Sequence, residues 1–157
     1  TRKAHVTHIV QSIRRVFKAI QIYSRQAWKE FGVTGPQLWL LRTLEDEPSL
    51  TVGDLAERMC LHISTVSGVL DRLEERGYVR RERDADDHRV IHVCLTRRGR
   101  GLLRGAPEPA QGKLLHGLER LSPADLARLH QSVETLVRIM EARTVKATFF
   151  FEDADDA

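Results

Sequence analysis

The 157-residue sequence has few cysteines, few aromatic residues and no long apolar run. Its two cysteines, Cys60 and Cys94, cannot form a disulfide framework, so we expect a reducing compartment, the cytoplasm. No apolar stretch approaches the roughly 20 residues that a membrane-spanning helix needs. The charged N-terminal residues also lack the apolar stretch and cleavage site of a secretory signal. These absences argue against membrane, secreted and disulfide-rich proteins.

The sequence also lacks the short motifs of common enzymes. It has no nucleophile elbow, no phosphate-binding glycine loop and no recognisable Ser/His/Asp set. Of its seven histidines, only His5 and His8 lie one helical turn apart, and no cysteine or carboxylate pair completes a tetrahedral metal site. We therefore expect no enzymatic activity, no metal and no other cofactor.

Positive charge is present but unevenly distributed. The formal net charge is +3, although residues 152–157 contain four carboxylates. Residues 76–104 contain nine arginines, four carboxylates and no lysine. Guanidinium groups bind phosphates and guanine edges through paired hydrogen bonds. This local excess favours a polyanionic partner over an ordinary solvated surface.

The first half of the chain has the pattern of four helices. Apolar residues recur at steps of three and four over residues 4–31, and Gly32 is the expected end of this long helix. Thr34 and Thr51 each have the capping pattern of a short helix. After a tight connection at residues 60–62, a further helix is predicted over residues 63–76, with Gly77 at its end.

The second half begins with a predicted hairpin. Residues 91–96 alternate with a period of two, residues 78–83 are the expected partner strand, and the polar residues 84–89 join them. Thr96 then starts a helix that we expect Gly99, Gly101 and Gly105 to fray. Ser122 begins a last helix with a clear apolar stripe. Phenylalanines 149–151 are expected to dock on another element or subunit.

Two short helices, a tight turn and a hairpin together predict a winged helix-turn-helix, in which the hairpin is the wing. A helix fits the DNA major groove, so the exposed side of the helix from Ile63 is the expected reading surface. Arg89 at the tip of the wing suits a narrow, electronegative minor groove. Hydroxyl residues at a helix start often only cap it, but here the turn, wing and arginines favour DNA. The candidate DNA-binding residues from the helix and wing are His62, Ser64, Thr65, Ser67, Gly68, Arg72, Asp87, His88 and Arg89, and Asp71 is exposed beside them.

Two segments resemble the MarR family of bacterial and archaeal transcription regulators. Its recognition-helix segment is similar to residues 61–77, LHISTVSGVLDRLEERG. Its wing is similar to residues 84–89, DADDHR, with an Asp-x-Arg tip and a Leu-Thr-x-x-Gly exit that ends at Gly99. The long first and last helices extend the resemblance over nearly the whole chain. The sequence departs from the family pattern at two positions. His62 stands where a capping residue such as serine is common, and Gly68 stands where many members have a larger side chain.

The resemblance implies a mainly α fold with a small β-hairpin wing, and a winged helix-turn-helix with long N- and C-terminal dimerisation helices. It implies dimerisation regions at 1–33 and 105–151, a DNA-binding lobe at 34–104 and an acidic tail at 152–157. The homodimer would bind a pseudo-palindromic operator in double-stranded DNA and act as a repressor. Arg89 would enter the flanking minor groove, and Asp87 would hold it or the loop in shape.

The resemblance also implies release from DNA by a small, aromatic or phenolic acid. Candidate effector-binding residues are His8, Arg14, Arg15, Tyr23, Trp28 and Trp39. For Trp28 and Trp39, packing at the hinge between helices is favoured over effector binding. Two alternatives remain: a redox-sensing regulator that uses Cys60 or Cys94, which are otherwise ordinary reduced cysteines, and a winged-helix protein-interaction module.

Overall fold

A computed structural model describes residues 1–149 of the chain. Phe150, Phe151 and the acidic residues 152–157 lie outside the described residues. The predictions that Phe150 and Phe151 dock on another element and that residues 152–157 form an acidic tail therefore concern residues outside this range. The described elements, in chain order, are α1 (Arg2–Phe31), α2 (Gly35–Asp46), β1 (Leu50–Thr51), α3 (Val52–Arg58), α4 (Ile63–Glu75), β2 (Val79–Arg83), β3 (Ile91–Leu95), α5 (Arg97–Leu103), α6 (Ala110–Glu119) and α7 (Pro123–Ile139).

Four of the described helices, α2, α3, α5 and α7, begin at the side-chain caps that the sequence predicted. In α2, Thr34 Oγ1 accepts a hydrogen bond from Gln37 N at 3.2 Å, and Gln37 Oε1 accepts one from Thr34 N at 3.1 Å. These bonds pair backbone groups that a helix start otherwise leaves unsatisfied. Gly32 ends α1 in the left-handed conformation, with φ of 65°. Helices α3, α5 and α7 are capped by Thr51, Thr96 and Ser122.

The hydrophobic core lies beneath the helix-turn-helix. It reaches α1 only near the end of that helix, at Ala27 and Phe31, and includes no described residue of α7. Leucines of α2 pack against the inner faces of α3 and α4 and against the small sheet. This arrangement fixes the orientation of α4, because its inner residues are fully covered. The largest fully buried side chains are Val33, Leu38, Leu40, Leu41, Leu44, Leu55, Met59, Val66, Leu70, Leu73, Val79 and Leu103.

The wing is part of a three-stranded antiparallel sheet with the order β1-β3-β2. Strands β2 and β3 pair from Val79–Leu95 to Arg83–Ile91, which confirms the predicted hairpin. Strand β1 was not predicted, because two residues are too short to display a period of two. It pairs Leu50 with Val93 and so ties the wing to the segment between α2 and α3.

Gly99 has a packing role that the sequence interpretation missed. The expectation that it frays α5 is wrong, since Gly99 is buried in the first turn of that helix. A Cβ atom at Gly99 would lie 2.2 Å from the carbonyl oxygen of Tyr78, closer than any real contact. The residue is glycine because the start of α5 packs directly against the backbone at the start of the wing.

Helices α1 and α7 leave apolar faces exposed in the single chain. No residue of α7, which lies within the described part of the chain, is buried. On α1, Ile9, Val16 and Phe17 are each more than half exposed. On α7, Leu126, Leu129 and Val133 are at least 40% exposed. Most of the regularly spaced apolar residues that predicted these two helices are therefore not buried in the core of the single chain.

Candidate nucleic-acid interface

The turn between α3 and α4 directs one side of α4 to solvent. Cys60 has a φ of 55°, and Leu61 N donates to Ala56 O at 2.9 Å, which closes the turn. Because Val66 and Leu70 are fully buried, the opposite side of α4 is exposed. On this side Ser64, Gly68, Asp71 and Arg72 are exposed, and Thr65 and Ser67 are half-buried.

The start of α4 has no side-chain cap. His62, at the N-cap position, makes no capping hydrogen bond, as its departure from the usual residue type predicted. The N-terminus of a 13-residue helix carries partial positive charge and attracts phosphate groups. Ile63, the first residue of α4, is 58% exposed. The sequence interpretation missed it because its spacing from Val66 and Leu70 is that of a core residue.

Asp84 organises the loop at the tip of the wing. Its Oδ1 atom accepts hydrogen bonds from the backbone N–H groups of Asp86 at 2.9 Å and Asp87 at 3.0 Å. Its Oδ2 atom lies 3.0 Å from His92 Nε2. The two backbone hydrogen bonds, followed by the His92 contact, hold the pKa of Asp84 below its ordinary value of 3.8. The charged form of Asp84 therefore stabilises the loop.

Asp87 holds Arg89 at the exposed end of the wing. The Arg89 side chain is 91% exposed. Its Nε donates to Asp87 Oδ1 at 3.0 Å and its Nη2 donates to Oδ2 at 3.1 Å. The Arg89 guanidinium holds the pKa of the Asp87 carboxyl below its ordinary value. His88, between them, is exposed, and its carbonyl oxygen accepts from Arg83 Nη1 at 3.2 Å.

Arg81 joins the wing to α4. Its Nη2 donates to Asp71 Oδ1 at 2.7 Å and its Nη1 to Glu74 Oε2 at 2.5 Å. Burial opposes the charge on Arg81, but the hydrogen bonds to the two carboxylates outweigh it and raise the pKa of Arg81. Asp71, exposed in the predicted reading face, therefore already has an arginine partner. Sequence periodicity could not identify this contact, because it joins residues of different elements.

Several arginines of the basic stretch have structural contacts. Arg76 Nη2 donates to Gly32 O at 2.7 Å, and its guanidinium stacks 5.0 Å from the centre of the Tyr78 ring. The Arg98 guanidinium also lies over this ring, with its central carbon 5.1 Å from the ring centre. Arg100 Nη1 donates to Leu95 O at 3.0 Å. The local charge excess thus includes arginines that support the wing and the end of α4.

The six candidate effector residues do not meet in one site of the single chain. His8, Arg14 and Arg15 lie on the exposed first half of α1, and Trp28 is 48% exposed near its end. Trp39 packs edge-on against Phe149 and lines a cavity of about 680 Å³. Carboxylates outnumber basic groups in that cavity, and the two arginines that line it, Arg42 and Arg58, are paired with Glu45 and Glu47. Its carboxylates are Glu45, Asp46, Glu47, Glu57, Glu108 and Glu119.

Unpaired polar groups lie instead where α1, α2 and α6 meet. Ser24 Oγ and both amide atoms of Gln111 are buried and have no hydrogen-bond partner in the described structure. Both side chains approach Gly35, where a Cβ atom would lie 3.1 Å from Ser24 Oγ and 3.8 Å from Gln111 Oε1. Nearby, Lys113 Nζ of α6 donates a hydrogen bond to Tyr23 Oη of α1 at 3.0 Å.

The cysteines and histidines form no cluster in the described residues. Cys60 is exposed in the turn and Cys94 is half-buried on β3, and both are free thiols. Among residues 1–149, no group of three His, Cys, Asp or Glu side chains could hold a metal ion. None of the described helices is both long and apolar enough to cross a bilayer.

Comparison with known proteins identifies the family. The model of the MarR family matches residues 33–91, which include the turn, α4 and most of the wing. The transcriptional regulator YfiV of Bacillus subtilis, itself uncharacterized, is 34% identical over 114 residues, 73% of this chain and 71% of YfiV. The chain belongs to the MarR family. The HTH-type transcriptional repressor MdtR of Bacillus subtilis is 35% identical over 94 residues, 60% of this chain and 61% of MdtR.

The solved structures agree with the MarR fold. A MarR-family protein from Bacillus stearothermophilus superimposes with a TM-score of 0.55 at 26% identity, over 90% of this chain and 99% of that protein. The chain is thus a DNA-binding transcriptional regulator with a winged helix-turn-helix, as its sequence predicted. Its relatives and fold are those of MarR regulators and not of enzymes.

Proposed function

We propose that this MarR-family regulator is a homodimeric repressor that binds a pseudo-palindromic operator and is released by a small effector. The exposed apolar faces of α1 and α7 support the dimer, because stable soluble proteins rarely leave such faces uncovered. In this proposal residues 1–33 and 105–151 form the dimerisation region. Residues 34–104 form the DNA-binding lobe, and residues 152–157 are an acidic tail.

The position of Arg89 is the observation that most strongly supports the DNA-binding proposal. A nearly fully exposed guanidinium is held by a carboxylate at the tip of a rigid wing, beside an exposed helix. Such an arginine can enter the narrow minor groove that flanks a major-groove contact. Asp87 fixes the direction of Arg89, and the loop bonds of Asp84 fix the position of Asp87.

Helix α4 supplies the major-groove contacts in this proposal. The hydroxyl groups of Ser64, Thr65 and Ser67 bind base edges or phosphates at the start of the helix. Gly68 is exposed and has no side chain, so the helix backbone can approach the groove closely there. Arg72 lies two turns further on and contacts the phosphate backbone. His62 and His88 contact phosphates at the edges of this surface, and Ile63 is suited to a thymine methyl group.

The junction of α1, α2 and α6 is the proposed effector site. Buried polar groups without partners are uncommon and costly, so Ser24 and Gln111 are suited to hydrogen bonds with a bound molecule. Lys113 adds a cationic group beside the ring of Tyr23, at 5.3 Å from its centre. This combination fits a small aromatic carboxylic acid, and binding there would alter how α1 and α6 hold the DNA-binding lobe.

The DNA-binding proposal is tested with duplexes selected from random sequence and measured by fluorescence anisotropy. We expect affinity for the selected duplex to fall steeply with salt concentration. Arg89→Ala should weaken it by roughly tenfold or more, as expected for loss of one charged groove contact. Arg120→Ala, which removes the same charge from the end of α6, is the matched control. Equal affinities of the two variants would contradict the role of Arg89, and selection of no duplex would favour a protein-interaction module.

The effector proposal is tested by titrating salicylate-like acids into the protein–operator complex. We expect release of DNA together with a change in tryptophan emission. Gln111→Leu should lose both responses while retaining operator binding, because it removes the two unpaired amide atoms. If the wild-type protein responds in neither assay, or Gln111→Leu responds like wild type, the proposed site is wrong.

A further inference from the structure

The chain that follows α7 returns to the recognition helix. After α7 ends, Glu141 adopts a φ of 54°, and Ala142 N donates to Val137 O at 2.9 Å, which redirects the backbone. Residues 142–149, which we call the C-terminal strap, then run to the DNA-binding lobe of the same chain. No family motif or sequence periodicity predicted this path.

Two anchors hold the strap, and one of them is on the proposed reading face. Lys146 Nζ donates a hydrogen bond to Ser64 Oγ at 3.2 Å. Phe149 is 5% exposed and contacts Trp39 edge-on, with ring centres 6.0 Å apart and an interplanar angle of 85°. The sequence prediction that Phe149 docks on another element is confirmed. Phe149 fixes the end of the strap to α2, and Lys146 forms a hydrogen bond with the Ser64 hydroxyl group that we propose contacts DNA.

The strap also borders the side of α4 that the DNA groove must accommodate. Lys146 and Thr148 share the lining of a cavity of about 330 Å³ with residues of α4 and of the start of α2. The α4 residues in this lining are Thr65, Gly68, Val69 and Arg72. The major groove is about 12 Å wide and admits one helix. A helix that carries an additional peptide segment along its side is too wide for full insertion.

Charge gives a second reason why the strap opposes DNA binding. Its own Arg143 and Lys146 are positive, but the sequence that follows Phe149 contains four carboxylates and no basic residue. This following sequence has the same sign of charge as DNA and is continuous with the strap along the chain. Steric overlap and the sign of this charge both favour exclusion of DNA over an added DNA contact.

We propose that the C-terminal strap is an intramolecular competitor of DNA for α4, attached by Phe149 and Lys146. This inference rests on the proposed DNA-binding face of α4. With the strap attached, the operator cannot reach Ser64 and the adjacent side of the helix. DNA binding therefore requires release of the strap, and the apparent affinity is reduced by the fraction of molecules in which it is attached.

The first test measures operator affinity of full-length variants. Phe149→Ala removes the aromatic anchor and should tighten binding by roughly threefold to tenfold, since the two anchors are individually weak. Lys146→Met removes the other anchor, and Arg143→Met removes the same charge from an exposed strap position. We expect Lys146→Met to bind the operator more tightly than Arg143→Met. If Phe149→Ala binds no more tightly than wild type and the two methionine variants are equal, the proposal is wrong.

The second test uses the unaltered protein, because Phe149→Ala also removes a core contact. Amide hydrogen exchange of residues 143–149 is measured with and without saturating operator. The proposal predicts faster exchange in the complex, and slower or unchanged exchange would contradict it. The Arg89→Ala comparison separates the two proposals. If wild type binds the operator and Arg89→Ala does not, strap variants with wild-type operator affinity would refute only the strap proposal. If wild type binds no duplex at all, both proposals are wrong.

Discussion

Asp84 is the residue on which the shape of the wing loop depends. It accepts two backbone hydrogen bonds and contacts His92, and these interactions are stronger with the ionised carboxylate than with the protonated carboxyl. The folded state lowers its pKa from 3.8, so ionised Asp84 contributes stability above that pH. The contribution is lost as the pH falls through the lowered value, because the folded state must then take up a proton.

We therefore predict how the stability of Asp84→Asn depends on pH. The deficit relative to wild type that is present at about pH 5 should shrink as the pH falls below 3.8, where wild type becomes protonated. Urea unfolding of both proteins across this range measures the deficit. Asp86→Asn, on the same loop, is the control and should show a smaller deficit. A deficit that grows as the pH falls would contradict this role of Asp84.

Gly99 provides a test of packing at a single position. Gly99→Ala should lower the free energy of unfolding by about 1–3 kcal/mol, because the new methyl group overlaps the carbonyl of Tyr78. Gly101→Ala is a matched control in the same helix, where a Cβ atom meets nothing within 4 Å. It should be neutral or stabilising by about 0.5–1 kcal/mol. Equal thermal or urea unfolding of the two variants would contradict the close packing of α5 on the wing.

Arg81 fixes the wing relative to α4, since its guanidinium binds Asp71 and Glu74 of that helix. DNA recognition by both elements at once requires a fixed angle between them. Arg81→Met should therefore weaken operator binding more than binding to a scrambled duplex. Arg80→Met removes the same charge from β2, where Arg80 pairs with Glu82 of its own strand. Anisotropy measurements on both duplexes should give a lower operator preference only for Arg81→Met, and equal preferences would contradict the argument.

Local features of the fold were predictable from the sequence. Thr34, Thr51, Thr96 and Ser122 are caps because each satisfies backbone groups within its own helix, over three residues. The hairpin of β2 and β3 was predictable for the same reason, since alternation marks β3 and a polar loop separates it from β2. These features depend on neighbours along the chain, which a single sequence displays.

Features that join distant residues were not predictable. The Arg81 contacts with α4, the pairing of β1 with β3 and the Lys146–Ser64 bond each depend on how the elements pack. The candidate effector residues illustrate the same limit. Their types suit an aromatic acid, but only Trp39 lines the acidic cavity, while the unpaired polar atoms belong to Ser24 and Gln111.

The proposed dimer would explain why α1 and α7 carry apolar residues that their own chain does not cover. Val16→Glu places a charge on the exposed apolar face of α1, where Val16 is 56% exposed. We predict that this variant sediments as a single chain at concentrations at which wild type is a dimer, and that operator affinity falls with it. Gln11→Glu makes the same change of charge at an exposed polar position of α1 and should remain dimeric. A monomeric wild type would contradict the proposal.

Hydroxyl-radical footprinting on a selected operator tests most directly whether paired recognition helices and wings bind DNA as described. We predict two protected half-sites whose centres lie about 10 base pairs, or 34–36 Å, apart, with additional protection of the minor groove outside each. Arg89→Ala should lose the outer protections and retain the inner ones at saturating protein. A single protected segment, or an Arg89→Ala footprint identical to that of wild type, would contradict the account.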